Sequence, residues 1–121
     1  MAIGIIGGCG YIKSKNYSDT DVTLAAQTGG IDNWQSYSTA GANCYVYDLQ
    51  FTDIPNSGIT INSDVTVIPR GTITQSLIEK FNQINAVEVI TNSSSQDVVR
   101  FYAFNGKPTD NIDVTLRVIF E

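Results

Sequence analysis

Three groups of residues in this 121-residue chain invite a chemical reading: a glycine cluster near the start, paired acids, and two cysteines. The glycines stand in "GIIGGCG" (4–10), after an apolar run, as at the opening of a phosphate-binding loop. A dinucleotide fingerprint needs a third glycine three residues after the second, opening a helix packed close to its strand. Here Gly8-x-Gly10 is followed by Tyr11, Ile12 and Lys13, and no Gly-Lys-Ser/Thr completes a P-loop. The spacing excludes both. A glycine-punctuated apolar segment lying close against protein is the reading that remains.

The acids offer Asp48 with Asp53 and Asp110 with Asp113 as pairs for general acid–base work. Asp at a loop-to-strand junction more often makes a turn, which is the reading favoured for 110 and 113. The chain has no histidine, so serine and cysteine triads are excluded. Oxygen ligands for calcium occur in "SDTD" (18–21) and "TDNID" (109–113), but neither follows an EF-hand loop. Cys9 and Cys44 fit no zinc spacing. A disulfide between them is one arrangement, and buried free thiols are the favoured one. The expectation is therefore no catalytic residue, no metal and no cofactor. Trp34 and Tyr37, in "DNWQSYS" (32–38), are candidate ligand contacts, because aromatic rings stack on sugars and anchor interfaces. Core packing is the blander alternative for Trp34, and the favoured one.

Positioning those residues falls to a β-rich frame. Ile112, Val114, Leu116, Val118 and Phe120 alternate with Asp113, Thr115 and Arg117, the period of a half-buried strand. In "CYVYDLQF" (44–51), Tyr45, Tyr47, Leu49 and Phe51 share one face, and Cys44, Val46, Asp48 and Gln50 the other. Val98–Phe104 is rich in β-branched and aromatic residues. Shorter strands are expected at 2–6, 21–25, 58–61, 65–68 and 86–91, separated by Gly/Asn/Ser/Pro-rich turns. Leu77, Ile78, Phe81 and Ile84 recur at helical spacing. They predict one short α-helix near residues 74–84, lying across an open end, capped through Thr72 with Gln75 or Ser76 with Glu79. The fold class is all-β: an antiparallel β-sandwich with one short helix. A boundary near residue 31 divides a 1–31 N-terminal arm or edge strand from a 32–121 sandwich domain. Ile3, Ile5, Ile6 and Tyr11 would be the docking side chains of that arm.

Composition narrows the partners. Net charge is −5 and the seven basic residues are scattered, without the concentrated positive surface that nucleic acid requires. No run of about 18 apolar residues is present, so no membrane helix is expected. The start lacks a basic, apolar signal-peptide pattern, which implies synthesis in the cytoplasm. Charged residues are 16%, below the usual ~25%, and polarity comes from Ser, Thr, Asn and Gln.

The stretch "FYAFNGKPTDNIDVTLRVIFE" (101–121) resembles a small β-domain that recurs in bacteriophage tail, baseplate and fibre proteins. In that family a strand ending in an aromatic-Ala unit runs into a Lys-Pro loop, and a final alternating strand closes the domain. Phe101, Ala103, Lys107, Pro108, Asp110, Ile112 and Val114 fit. Trp34, "YVYDLQFTDI" and "GITINSDVTVIP" resemble the family's earlier elements, so the likeness covers roughly 32–121. It implies a scaffold and brings no catalytic residue. The implied role is a non-enzymatic virion structural protein of tail, fibre or capsid decoration. It would contact other virion proteins and itself as a homo-oligomer, a trimer being one arrangement. The alternatives are a carbohydrate-binding host-attachment module using Trp34 and Tyr37, and a bacterial surface or secretion-system subunit. Family domains usually end a longer tail chain, whereas here the domain is nearly the whole sequence.

Overall fold

The computed structural model describes residues 16–120. Two antiparallel sheets stack face to face. The first has the order β1 (Tyr17–Leu24), β9 (Ile112–Ile119), β6 (Asp64–Pro69). The second has the order β4 (Gln35–Ser36), β5 (Tyr45–Gln50), β8 (Asp97–Ala103), β7 (Ala86–Thr91). A two-residue ladder joins β2 (Gln27–Thr28) to β3 (Ile31–Asp32) between the sheets in chain order. The fold is all-β with one helix, as the alternation and turn chemistry predict.

The core is the union of the two inner faces. Ile112, Val114, Leu116 and Val118 of β9 are fully buried against Val99, Phe101 and Ala103 of β8 and Leu49 of β5. Tyr45, Tyr47 and Phe51 pack at its margin, the face expected for them. Of the two central strands, β9 alternates strictly, one face in the core, whereas β8 is buried on both faces from Val98 to Phe101.

Helix α1 (Gln75–Phe81) follows β6 and leads into β7, so it carries the chain from one sheet to the other and covers that end. Its N-cap is Thr74, whose hydroxyl accepts from Leu77 N at 3.1 Å. Neither expected capping box forms. Thr74 has the extended backbone that a cap requires, and Ser76 already lies inside the helix.

One expectation is corrected. Residues 58–61 are not a strand: Gly58 has φ +74°, outside the β region, and a Cβ there would meet the Phe120 ring at 3.0 Å. The following turn is closed by Thr60 and Ser63.

Of the segment 1–31, expected as an arm or edge strand, the described part supplies a strand at the sheet edge. Tyr17–Leu24 pairs along its whole length with β9, from Tyr17↔Ile119 to Leu24↔Ile112, and Val22 and Leu24 enter the core. Burying those two side chains is worth roughly 1.5–3 kcal/mol each. The polar rungs on the outer face contribute less, since water and salt screen exposed ion pairs. They comprise Arg117 bidentate to Asp19 (2.9 and 3.0 Å) and Thr115 donating to Asp21 (3.0 Å). Arg70 reaches over β9 to donate to Val22 O and Thr23 Oγ1, both at 3.2 Å. Within the segment 16–31, β1 is thus an edge strand of the sandwich, one of the two alternatives expected there.

Candidate functional site

The outward face of the four-stranded sheet holds the richest group of side chains. β8 presents Val98, Arg100 and Tyr102 there at its period of two, with Phe104 just beyond its end. β5 places Asp48 opposite Arg100, and β7 places Glu88 opposite Arg100 on the other side. Tyr37 arrives from the turn after β4, held by its amide to Cys44 O at 2.9 Å.

These groups interlock. Arg100 donates to both Asp48 oxygens, at 2.7 and 2.9 Å, and its side chain is only 11% exposed. Asn92, in the β7–β8 turn, reaches across β8 to donate to Asp48 Oδ2 at 3.1 Å. The oxygen of the same amide accepts from Ser94 N and Gln96 N, which fixes the turn. The Tyr37 ring lies 5.0 Å from the Arg100 guanidinium. Tyr37 meets Tyr102 edge-on at 6.3 Å, and Tyr102 stacks on Phe104 at 5.8 Å and 11°. The Tyr102 hydroxyl donates to Glu88. Phe104 is 42% exposed, so the stack ends in an open apolar ring.

The electrostatics hold the ionisable groups of this face in fixed protonation states near neutral pH. Burial works to raise the Asp48 carboxyl, but Arg100 and Asn92 together hold it below the usual carboxylate range. Burial, with the Glu88 bond behind it, pushes the Tyr102 phenol up to about 12. Burial also raises the Cys44 thiol, with Arg100 acting against it, so this free cysteine is unreactive at neutral pH. What the face can do is stack a flat apolar surface against Phe104 and Tyr102.

Trp34 is not among these residues. It is 1% exposed, packs edge-on to Tyr47 at 5.4 Å within the core, and its indole Nε1 has no hydrogen-bond partner among the described residues. Its expected role as a ligand contact is therefore corrected, whereas Tyr37 does reach the surface. Ile3, Ile5, Ile6 and Tyr11 lie outside the described residues. Phe104 and Tyr102 were missed as surface aromatics; the signal was in β8's alternation, which puts Tyr102 and Phe104 opposite in facing to Phe101 and Ala103.

The acid pairs are not brought together as pairs. Asp48 is committed to Arg100, and Asp113 accepts from Thr23 at 2.7 Å and Arg70 at 3.5 Å. Among the described residues no cluster of three or more acids, cysteines or histidines could hold a metal ion. No helix among them is long and apolar enough to cross a membrane.

Concavities lie elsewhere on the molecule, two of them beside the strands described above. A polar cleft of about 300 Å³ lies over the loop after β8, where Lys107 pairs with Asp32 at 2.5 Å and Ala26 N donates to Asn111 at 3.0 Å. The contact with Lys107 holds the Asp32 carboxyl low. The other is a groove along β6 and β7, the adjacent outer strands of the two sheets. No protein-family model matches this chain, nor does any curated protein or solved structure.

Proposed function

We propose that the chain is a non-enzymatic structural component of a bacteriophage virion, working through protein–protein contacts. The supporting observation is how the β8–Lys107-Pro108–β9 unit is built, since the resemblance rests there. Pro108 is buried, Lys107 is neutralised by Asp32, and Asn111 ties the loop to Ala26. These contacts fix a connection between two core strands, which suits a scaffold. The test is mass spectrometry of gradient-purified particles from the source strain. Recovery at a copy number comparable to other structural subunits supports the reading, and absence from particles refutes it.

A second reading, host-surface carbohydrate binding, is favoured by one specific feature, the open Tyr102–Phe104 stack. Ring faces of this kind bind the apolar faces of sugars. A glycan array distinguishes the two: binding that disappears in Phe104→Ala supports attachment, and a blank array removes it.

A further inference from the structure

The bend that ends β8 carries a reactive pair. Of the asparagines in this chain, Asn105 alone is followed by glycine. An asparagine amide is labile where the next peptide nitrogen can reach its side-chain carbon, and a glycine there brings that nitrogen without a Cβ to hinder it. The structure separates Asn105 from the other asparagines that precede a small residue. Asn92 precedes a serine, but its amide nitrogen donates to Asp48 and its oxygen accepts from Ser94 N and Gln96 N, so the group is held. Asn56 precedes Ser57, which is 3% exposed. Asn62 precedes Ser63, whose amide donates to Thr60 O at 3.0 Å. Asn85 precedes Ala86, and its oxygen accepts from Phe104 N at 2.8 Å. Asn105 is exposed, and its side chain makes no hydrogen bond among the described residues. Gly106 has φ +101°, and the space where a Cβ would stand is open.

We propose that Asn105 is a site of spontaneous covalent modification, timed by opening of the hydrogen bond from Gly106 N to Asn43 O. The Gly106 nitrogen loses its proton to solvent base and attacks Asn105 Cγ. The new C–N bond closes a succinimide ring, the bond from Cγ to Nδ2 breaks, and the departing nitrogen takes a proton and leaves as ammonia. Water then adds to one of the two carbonyls that flank the ring nitrogen. Opening at one gives aspartate, and opening at the other gives isoaspartate, whose main chain runs through Cγ. Water is the only co-reactant, and no electrons are transferred. The brake is on the page: Gly106 N–H donates to Asn43 O at 3.1 Å. While that bond holds, the nitrogen keeps its proton and its orientation, so the reaction draws on the locally opened state. Either product takes the net charge from −5 to −6. The new carboxylate lies at a small cleft of about 130 Å³ that Glu79 also lines. Isoaspartate in addition lengthens the main chain by one methylene between Phe104 and Gly106, which displaces the amide that reaches Asn43. The change therefore loosens the connection from β8 to β9 beside the exposed Phe104 ring. This inference goes beyond the virion reading and does not depend on it.

The test is peptide mapping by tandem mass spectrometry of the full chain aged in mildly alkaline buffer, with a parallel sample unfolded in concentrated urea. In the folded chain the Asn105 peptide should gain one mass unit before any other asparagine converts. It should separate into two isomers, one of which is a substrate for isoaspartyl methyltransferase. In urea, where the bond to Asn43 is gone, the same conversion should run at least about tenfold faster. Asn105→Gln should abolish the earliest release of ammonia while leaving the circular dichroism unchanged, because the side chain it replaces is exposed and unbonded among the described residues. Another asparagine converting first in the folded chain, or no conversion at Asn105, would overturn the site. Equal rates in the folded and unfolded samples would overturn the timing by the Asn43 bond.

Discussion

Replacing Arg100 with methionine is expected to cost the fold about 3 kcal/mol. The guanidinium side chain is 11% exposed and that of Asp48 24%, so removing the cation strands an anion that water reaches only in part. Breaking a buried pair from one side costs roughly 3–5 kcal/mol, against about 0–1 kcal/mol for an exposed pair. The partial exposure of Asp48 and its surviving bond from Asn92 place this pair at the lower end of the buried range. An unfolding entropy of about 2.1 cal/mol/K per residue gives about 0.25 kcal/mol/K for this length, so the Tm should fall by about 12 °C. The effect depends on pH with a defined sign. In the native protein the Asp48 carboxyl sits below its unfolded value, so its contribution is present above about pH 4 and lost as pH falls through the folded value. Without Arg100, burial is left to raise that carboxyl, which then takes up its proton earlier. The gap between variant and parent should therefore shrink below about pH 4. The double replacement Asp48→Leu with Arg100→Met should cost less than the two single changes together, by about 2 kcal/mol, because an apolar pair tolerates burial. Urea unfolding followed by circular dichroism measures all four proteins. If Arg100→Met costs under about 1 kcal/mol, or the single costs simply add, the reasoning about this pair is refuted.

Other expectations are simpler. Trp34 fluorescence should resist acrylamide quenching in the folded protein, and Trp34→Ala should cost about 3–5 kcal/mol in urea unfolding; an easily quenched indole would contradict the core placement. An absorbance titration of the six tyrosines should find Tyr102 ionising late, near its raised value of about 12. Because that value is raised, its share of stability is complete below about pH 10 and is lost as pH rises towards 12. Glu88→Gln should bring this ionisation earlier. Thr74→Ala removes the one side-chain cap of α1 and should cost about 1 kcal/mol, read as a small drop in urea midpoint.

The elements visible in the sequence are those whose signal is local. β9 reads clearly because a strand with one buried face must alternate, β8 because its run is rich in β-branched and aromatic residues, and α1 because three of its apolar residues and Ile84 just beyond it recur at helical spacing. β1 was harder, since "YSDTDVTL" offers only Val22 and Leu24 as apolar inward residues near its end. What makes it a strand is β9, which lies about 90 residues away and leaves no local mark. Residues 58–61 carried strand-like composition, but a positive φ at Gly58 and the turn closed by Ser63 decided otherwise. The contact face was half legible. Tyr37 could be singled out as an aromatic in a loop, whereas the Asp48–Arg100–Asn92 linkage joins three separate strands and turns and exists only after the sheet has assembled. Trp34 shows the limit of residue type alone, because the ring suits a sugar platform and a core equally, and burial chose the core.

The place of β9 between β1 and β6 has a consequence for how the protein is made. At roughly 5–20 residues per second, about 4 to 18 s separate the synthesis of Leu24 from that of its partner Ile112. In the second half of that interval, once Pro69 has been made, the nascent chain holds two strands of a sheet whose middle does not yet exist. Both would expose apolar faces and open edges together, which is a risk for association between neighbouring nascent chains. The four-stranded sheet can form earlier, since β8 emerges before β9. Assembly of this molecule should therefore proceed in two stages on the ribosome, with the second sheet waiting for the last strand to slide between two that are already there.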